Sequence, residues 1–176
     1  MSAAVSLDPS PWVERFAGMI EPGGKVLDLA CGGGRHGRLF LGRGYEVLFL
    51  DRDISKLDDL REDRRAELVE ADLEDGSPWP LPGRIFDGIV VTNYLHRPLF
   101  ERLIGALAPE GVLIYETFAL GNERFGKPSN PDFLLQPGEL IARLSPPLHV
   151  LAYEDLLDEV PKPAMRQRIV ARKIKG

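Results

Sequence analysis

Apolar positions along the chain follow two rhythms. Trp12, Val13, Phe16 and Ile20 recur at helical spacing, with Asp8, Pro9, Ser10 and Pro11 supplying helix-start chemistry and Glu21-Pro22-Gly23-Gly24 ending the helix. Shorter apolar runs read as strands: Val26, Leu27 and Leu29, then Tyr45 to Leu50, Glu67 to Ala71, Phe86 to Thr92 and Val112 to Phe118. The fourth run is almost continuously apolar, which predicts a strand buried on both faces at the centre of a parallel sheet. Residues 35–43, 98–107 and 137–144 read as helices, and the charged stretch 56–66 as a solvated helix with a narrow buried stripe at Leu57 and Leu60. His149 to Glu154 and Arg166 to Arg172 read as two closing strands joined around Pro161 and Pro163. In the second, basic residues alternate with Ile169 and Val170, as an exposed strand would have them.

Two stretches fit neither rhythm. Gly76 to Gly83 contains three prolines and cannot be regular structure. Residues 119–136 are long for a plain connection yet contain Phe125, Phe133, Leu134 and Leu135, the composition of an ordered lid. Strands alternating with helices over 176 residues predict one α/β domain, 1–176, with an N-terminal helical segment in 1–24.

The chemistry concentrates where strands end. Lys25 to Gly37, KVLDLACGGGRHG, is a strand, a glycine turn and a helix start. Glycines there allow positive φ and close approach of a ligand, and the N–H groups of the following helix start suit a carboxylate or phosphate. Cys31 sits at the strand's end as a small packed side chain, and Arg35 and His36 lie in the first turn of the helix. Asp51, followed by Arg52, closes the second strand, where a carboxylate can accept hydrogen bonds from both hydroxyls of a ribose. Asp72-Leu73 follows the third strand, and Asn93-Tyr94-Leu95-His96-Arg97 the fourth, at the edge where a doubly wound sheet binds its ligands.

Gly32, Gly34 and Gly37 satisfy the dinucleotide fingerprint G-x-G-x-x-G. The whole segment also resembles motif I of the class I S-adenosylmethionine-dependent methyltransferases, D/E-x-G-x-G-x-G, with Asp28, Ala30, Gly32 and Gly34 at the corresponding positions and Ala30 in place of the first glycine. LAPEGVLIYETF is similar to the family's L-x-P-G-G-x-L segment before the fifth strand, Glu110 replacing the first glycine. The layout is nearest to the tellurite-resistance and thiopurine methyltransferase-like branch.

The resemblance implies a Rossmann-like three-layer αβα sandwich whose seven-stranded, mostly parallel sheet has its last strand antiparallel. It implies S-adenosyl-L-methionine as cofactor, held by Asp28, Ala30, Cys31, Gly32, Gly34, Arg35, Asp51, Arg52, Asp72, Leu73 and Asn93. It implies methyl transfer to a small-molecule acceptor, with no metal. His96, Tyr94 and Glu116 are the candidate bases, His96 first on its near-neutral intrinsic pKa. An NAD-type oxidoreductase is opposed by the lack of length for a substrate domain and by the closing strand pair. A non-catalytic adenosylmethionine-binding partner subunit uses nearly the same residues and stays open.

Composition narrows the partners. The net charge of −5 provides no general field for nucleic acid or anionic membrane, which disfavours an RNA methyltransferase. Arg61, Arg64 and Arg65 are interleaved with acids and read as a solvated face. One cysteine excludes an internal disulfide, and no apolar run approaches membrane-spanning length, so the expectation is a cytoplasmic protein. Oligomeric state is not legible.

Overall fold

A computed structural model describes residues 7–175; the first six residues of the N-terminal segment lie outside the described part. Seven strands form one sheet: β1 Lys25–Leu29, β2 Glu46–Asp51, β3 Ala66–Glu70, β4 Phe86–Thr92, β5 Leu107–Phe118, β6 Leu148–Asp158 and β7 Ala164–Lys173. Their order is β3-β2-β1-β4-β5-β7-β6. β1 to β5 pair in parallel, and β7 runs antiparallel to both β5 and β6. The expected α/β sandwich with its final strand reversed is therefore present.

Period-two alternation sorts the strands' side chains onto two faces. Val26, Val47, Phe49, Val90, Ile114 and Val170 meet the helices α1 Pro11–Phe16 and α2 Arg35–Gly42. Leu27, Leu50, Ile89, Leu113 and Ile169 meet α3 Phe100–Ala106 and α4 Glu139–Leu144. Ser10 caps α1 by accepting the Trp12 N–H at 3.2 Å, with Pro11 at the first helical position. The charged stretch read as a helix over 56–66 is a 3₁₀ run, Ser55–Leu60, followed by turns. Leu57 and Leu60 are buried as expected, but two apolar anchors and a dense charge run cannot sustain further turns.

The closing strand departs most from expectation. β7 is not an exposed edge: it lies between β5 and β6, and β6 is the edge. Its basic residues are tolerated inside because acids flank them. Glu116, Arg168 and Glu154 stand directly opposite one another across the three strands.

Glu110, exposed, has φ 67°, which explains why a glycine suits this position. Glu110→Gly is expected to stabilise the protein by about 1 kcal/mol, raising Tm by about 3 °C. A thermal melt checks it, and a lower Tm would mean that the glutamate side chain contributes more than its backbone strain costs.

Candidate functional site

The strand order reverses between β1 and β4, and the chain after each begins with a residue in the left-handed region. Ala30 has φ 55° and Asn93 has φ 53°. Such conformations cost of order 1–3 kcal/mol each and persist where the surroundings over-determine them. Ala30 thus occupies a conformation that a glycine would adopt without strain.

Hydrogen bonds tie the glycine turn to its neighbours. The Gly32 N–H donates to Asp51 Oδ2 at 2.9 Å, and the Asp53 N–H to Asp51 Oδ1 at 3.0 Å. The Gly34 N–H reaches the Cys31 carbonyl at 2.8 Å, and the Gly37 N–H reaches Asp28 Oδ2 at 2.8 Å. Asp28 is buried within β1, and desolvation pushes its carboxyl up to about 7 against the opposing Gly37 hydrogen bond. A carboxyl raised on folding contributes stability at low pH that is lost as pH rises towards the folded value. Between pH 5 and 7 the wild type should therefore lose about 2 kcal/mol relative to Asp28→Asn. Urea unfolding of both proteins at each pH checks this; parallel pH profiles would remove the assigned shift.

In the first turn of α2, His36 is buried and neutral. Its Nε2 accepts the Ser10 N–H at 3.0 Å and its Nδ1 faces Thr92 Oγ1 at 3.4 Å. Burial first, then Arg35, lowers its pKa to about 3. The sequence assigned it no role; it ties the N-terminal segment to α2 and β4.

A cavity of about 440 Å³ opens at the carboxyl edge of β1, β2 and β4. Ala30, Asp51, Arg52, Asp72, Leu73 and Asn93, all expected at a cofactor site, line it, together with Tyr94. Leu50, Leu95 and Phe118 add apolar wall. The Tyr94 hydroxyl donates to Glu74 Oε2 at 3.2 Å, and His96 Nδ1 lies 3.6 Å from Glu74 Oε1. Burial foremost, then Glu74, pushes the Tyr94 phenol above its ordinary value. Pro128 and Phe133, from the segment expected to be a lid, close the far side. Arg97 holds that segment: it donates to the carbonyls of Asp132 and Leu134 at 3.0 Å and forms a two-pronged pair with Glu139 at 2.8 and 2.9 Å.

A second cavity of about 670 Å³ adjoins the first and shares Asn93 and Phe118 with it. Arg35 and Glu116 line this one rather than the first. Arg168, its side chain only 11% exposed, contacts Glu116 at 2.9 Å, Glu154 at 3.1 Å, and Asp158. Arg166 donates to Asn93 Oδ1 at 2.9 Å.

The predicted residues thus separate by location. Asp28 and Cys31 are buried behind the turn, Gly32 and Gly34 shape it, and His96 stands beside the first cavity against Glu74. The sequence reading missed Glu74, Phe118, Arg166 and Arg168. The available signal for the arginines was their two-residue spacing, which puts both on one face of β7. Among the described residues no cluster of His, Cys, Asp or Glu could hold a metal, and no helix is long and apolar enough to cross a membrane.

Residues 26–111 match the family described as "Methyltransferase domain". No curated protein matches the sequence. Among solved structures, TehB from Haemophilus influenzae superposes with TM-score 0.74 at 21% identity, over 92% of this chain and 61% of that one. This chain therefore spans less than two thirds of that protein. An S-adenosylmethionine-dependent methyltransferase from Mesorhizobium loti gives TM-score 0.74 at 19% identity, covering 96% of this chain and all of the other. The 1,6-didemethyltoxoflavin-N1-methyltransferase of Burkholderia thailandensis, solved with 1,6-didemethyltoxoflavin and S-adenosylhomocysteine, gives 0.66 at 19% identity, over 91% and 75% of the two chains. Residues 26–111 thus resemble a methyltransferase domain, and the chain has the class I methyltransferase fold.

Proposed function

We propose that this chain is an S-adenosylmethionine-dependent methyltransferase acting on a small-molecule acceptor. The observation that carries the reading is the Asp51 carboxylate, held by the Gly32 N–H at 2.9 Å on the rim of the first cavity, at the reversal point of the sheet. The cavity's donor set suits the cofactor. Asp51 can accept from two ribose hydroxyls and Asp72 from an exocyclic amino group, while Leu50, Leu73 and Leu95 offer apolar surface to a purine.

Bound there, the cofactor supplies an electrophilic methyl group on a sulfonium. The protein's task is then alignment and exclusion of water. In this reading Asn93 and the turn at Gly32 and Gly34 receive the methionine end, directed towards the second cavity, where the acceptor binds. The 119–136 segment covers both, since Phe133 lines the first cavity and Phe125 the second. Of the three candidate bases, Glu116 lines the acceptor cavity, Tyr94 lines the cofactor cavity, and His96 orients the loop through Glu74.

The test is calorimetric titration with S-adenosylhomocysteine, with NAD in parallel. Micromolar binding of the first and none of the second is expected. Binding of NAD alone would overturn the reading in favour of a dinucleotide enzyme, and binding of neither would overturn it outright.

A further inference from the structure

Two arginines in the second cavity, Arg166 and Arg35, are held less closely by acids than their neighbour Arg168. Three carboxylates surround Arg168. Arg166 differs: its side chain is 21% exposed, its closest partner is the uncharged Asn93 amide oxygen at 2.9 Å, and Asp158 stands 3.8 Å away, held more closely by Arg168. Its guanidinium lies 4.3 Å from the centre of the Phe118 ring. Burial foremost lowers its pKa, with Glu116 and Asp158 opposing and Arg168 and Arg35 adding to the shift, so the charged form is held at a cost. Arg35 donates to the Asp8 carbonyl at 3.1 Å. Like charges facing one cavity are stabilised by an anion between them.

The cavity's size and walls say what kind of anion. At about 670 Å³ it is far larger than a simple inorganic ion needs, and Trp12, Phe118, Phe125, Pro161 and Pro163 give it apolar surface. We propose that the methyl acceptor is an organic carboxylic acid with an apolar body, its carboxylate bound by Arg166 and Arg35 at the junction of the two cavities. The planar guanidinium fork matches a carboxylate's two oxygens. Through Asn93, which Arg166 holds and both cavities share, the anchored acceptor is positioned against the cofactor site. The inference rests on the methyltransferase reading. A carboxylate could also come from the cofactor's own amino-acid end, but neither arginine lines the first cavity.

The experiment titrates benzoate, with benzamide as the uncharged control, into protein saturated with S-adenosylhomocysteine, for the wild type, Arg166→Gln and Arg35→Gln. S-adenosylhomocysteine and 5′-methylthioadenosine, which lacks the amino-acid end, are titrated into each protein separately. Benzoate should bind the wild type about tenfold more tightly than benzamide, and each variant should lose about tenfold in benzoate affinity while S-adenosylhomocysteine changes less than about twofold. Equal affinity for benzoate and benzamide, or no benzoate binding, overturns the proposal. A loss of S-adenosylhomocysteine affinity in the variants with unchanged methylthioadenosine affinity also overturns it, assigning the arginines to the cofactor. A wild type that binds neither adenosyl ligand overturns the underlying methyltransferase reading instead. Should Arg166→Gln fail to fold, Arg35→Gln decides the outcome, because among the described residues that side chain hydrogen-bonds to a carbonyl on the chain's entry segment and not to the sheet.

Discussion

Asp51→Ala is expected to weaken S-adenosylhomocysteine binding about 100-fold, or about 2.7 kcal/mol. Two losses combine. The carboxylate would no longer accept hydrogen bonds from the ribose hydroxyls, each worth roughly 1.5–3 kcal/mol to a charged acceptor. The Gly32 N–H would also lose its partner at 2.9 Å, and the Asp53 N–H its partner at 3.0 Å, so the turn that shapes the site would loosen. Asp51→Asn retains one acceptor oxygen for Gly32 and should lose only about tenfold. Titration calorimetry on the three proteins separates the contributions; unchanged affinity in the alanine variant would remove Asp51 from the cofactor site.

Gly37→Ala should be the most damaging single methyl addition near the site. An added Cβ would lie 2.2 Å from Phe49 Cε1 and 2.6 Å from Cζ, with Phe49 itself fully buried in β2. Neither partner can retreat easily, because the Gly37 N–H is held by Asp28 and the ring is enclosed by the α1 and α2 face of the core. Overpacking of this kind costs about 3 kcal/mol, a large part of the stability of a domain this size. Tm should fall by about 10 °C. Because α2 follows the glycine turn directly, cofactor affinity should fall with it. A Tm within 2 °C of wild type would show that α2 can shift away from the sheet at little cost.

These two positions differ in how legible they were. Asp51 ends an apolar strand, and a carboxylate at a strand tip after a glycine turn has few other structural uses, so its place was readable. Gly37 was visible only as the last member of G-x-G-x-x-G, a pattern shared with dinucleotide enzymes. That it exists to let a helix approach Phe49 required the packing. Ala30 and Glu110 were visible as departures from glycine; their shared left-handed backbone is a property of the folded chain.

Local sequence determined what depends on near neighbours. Short apolar runs located the strands, the glycine turn located the loop after β1, and acids at strand ends located Asp51 and Asp72, because each signal is written within a few residues. Tertiary structure decided what depends on partners far away in sequence. The basic alternation of β7 is the same whether the strand is an edge or an interior member. Only insertion between β5 and β6, with Glu116, Glu154 and Asp158 brought alongside, turns Arg168 from a solvent-facing charge into a largely enclosed, paired one. The same assembly leaves Arg166 facing a cavity beside Asn93, 73 positions away in the chain. Side-chain charge is a local property, but its neutralisation depends on geometry that no local pattern carries.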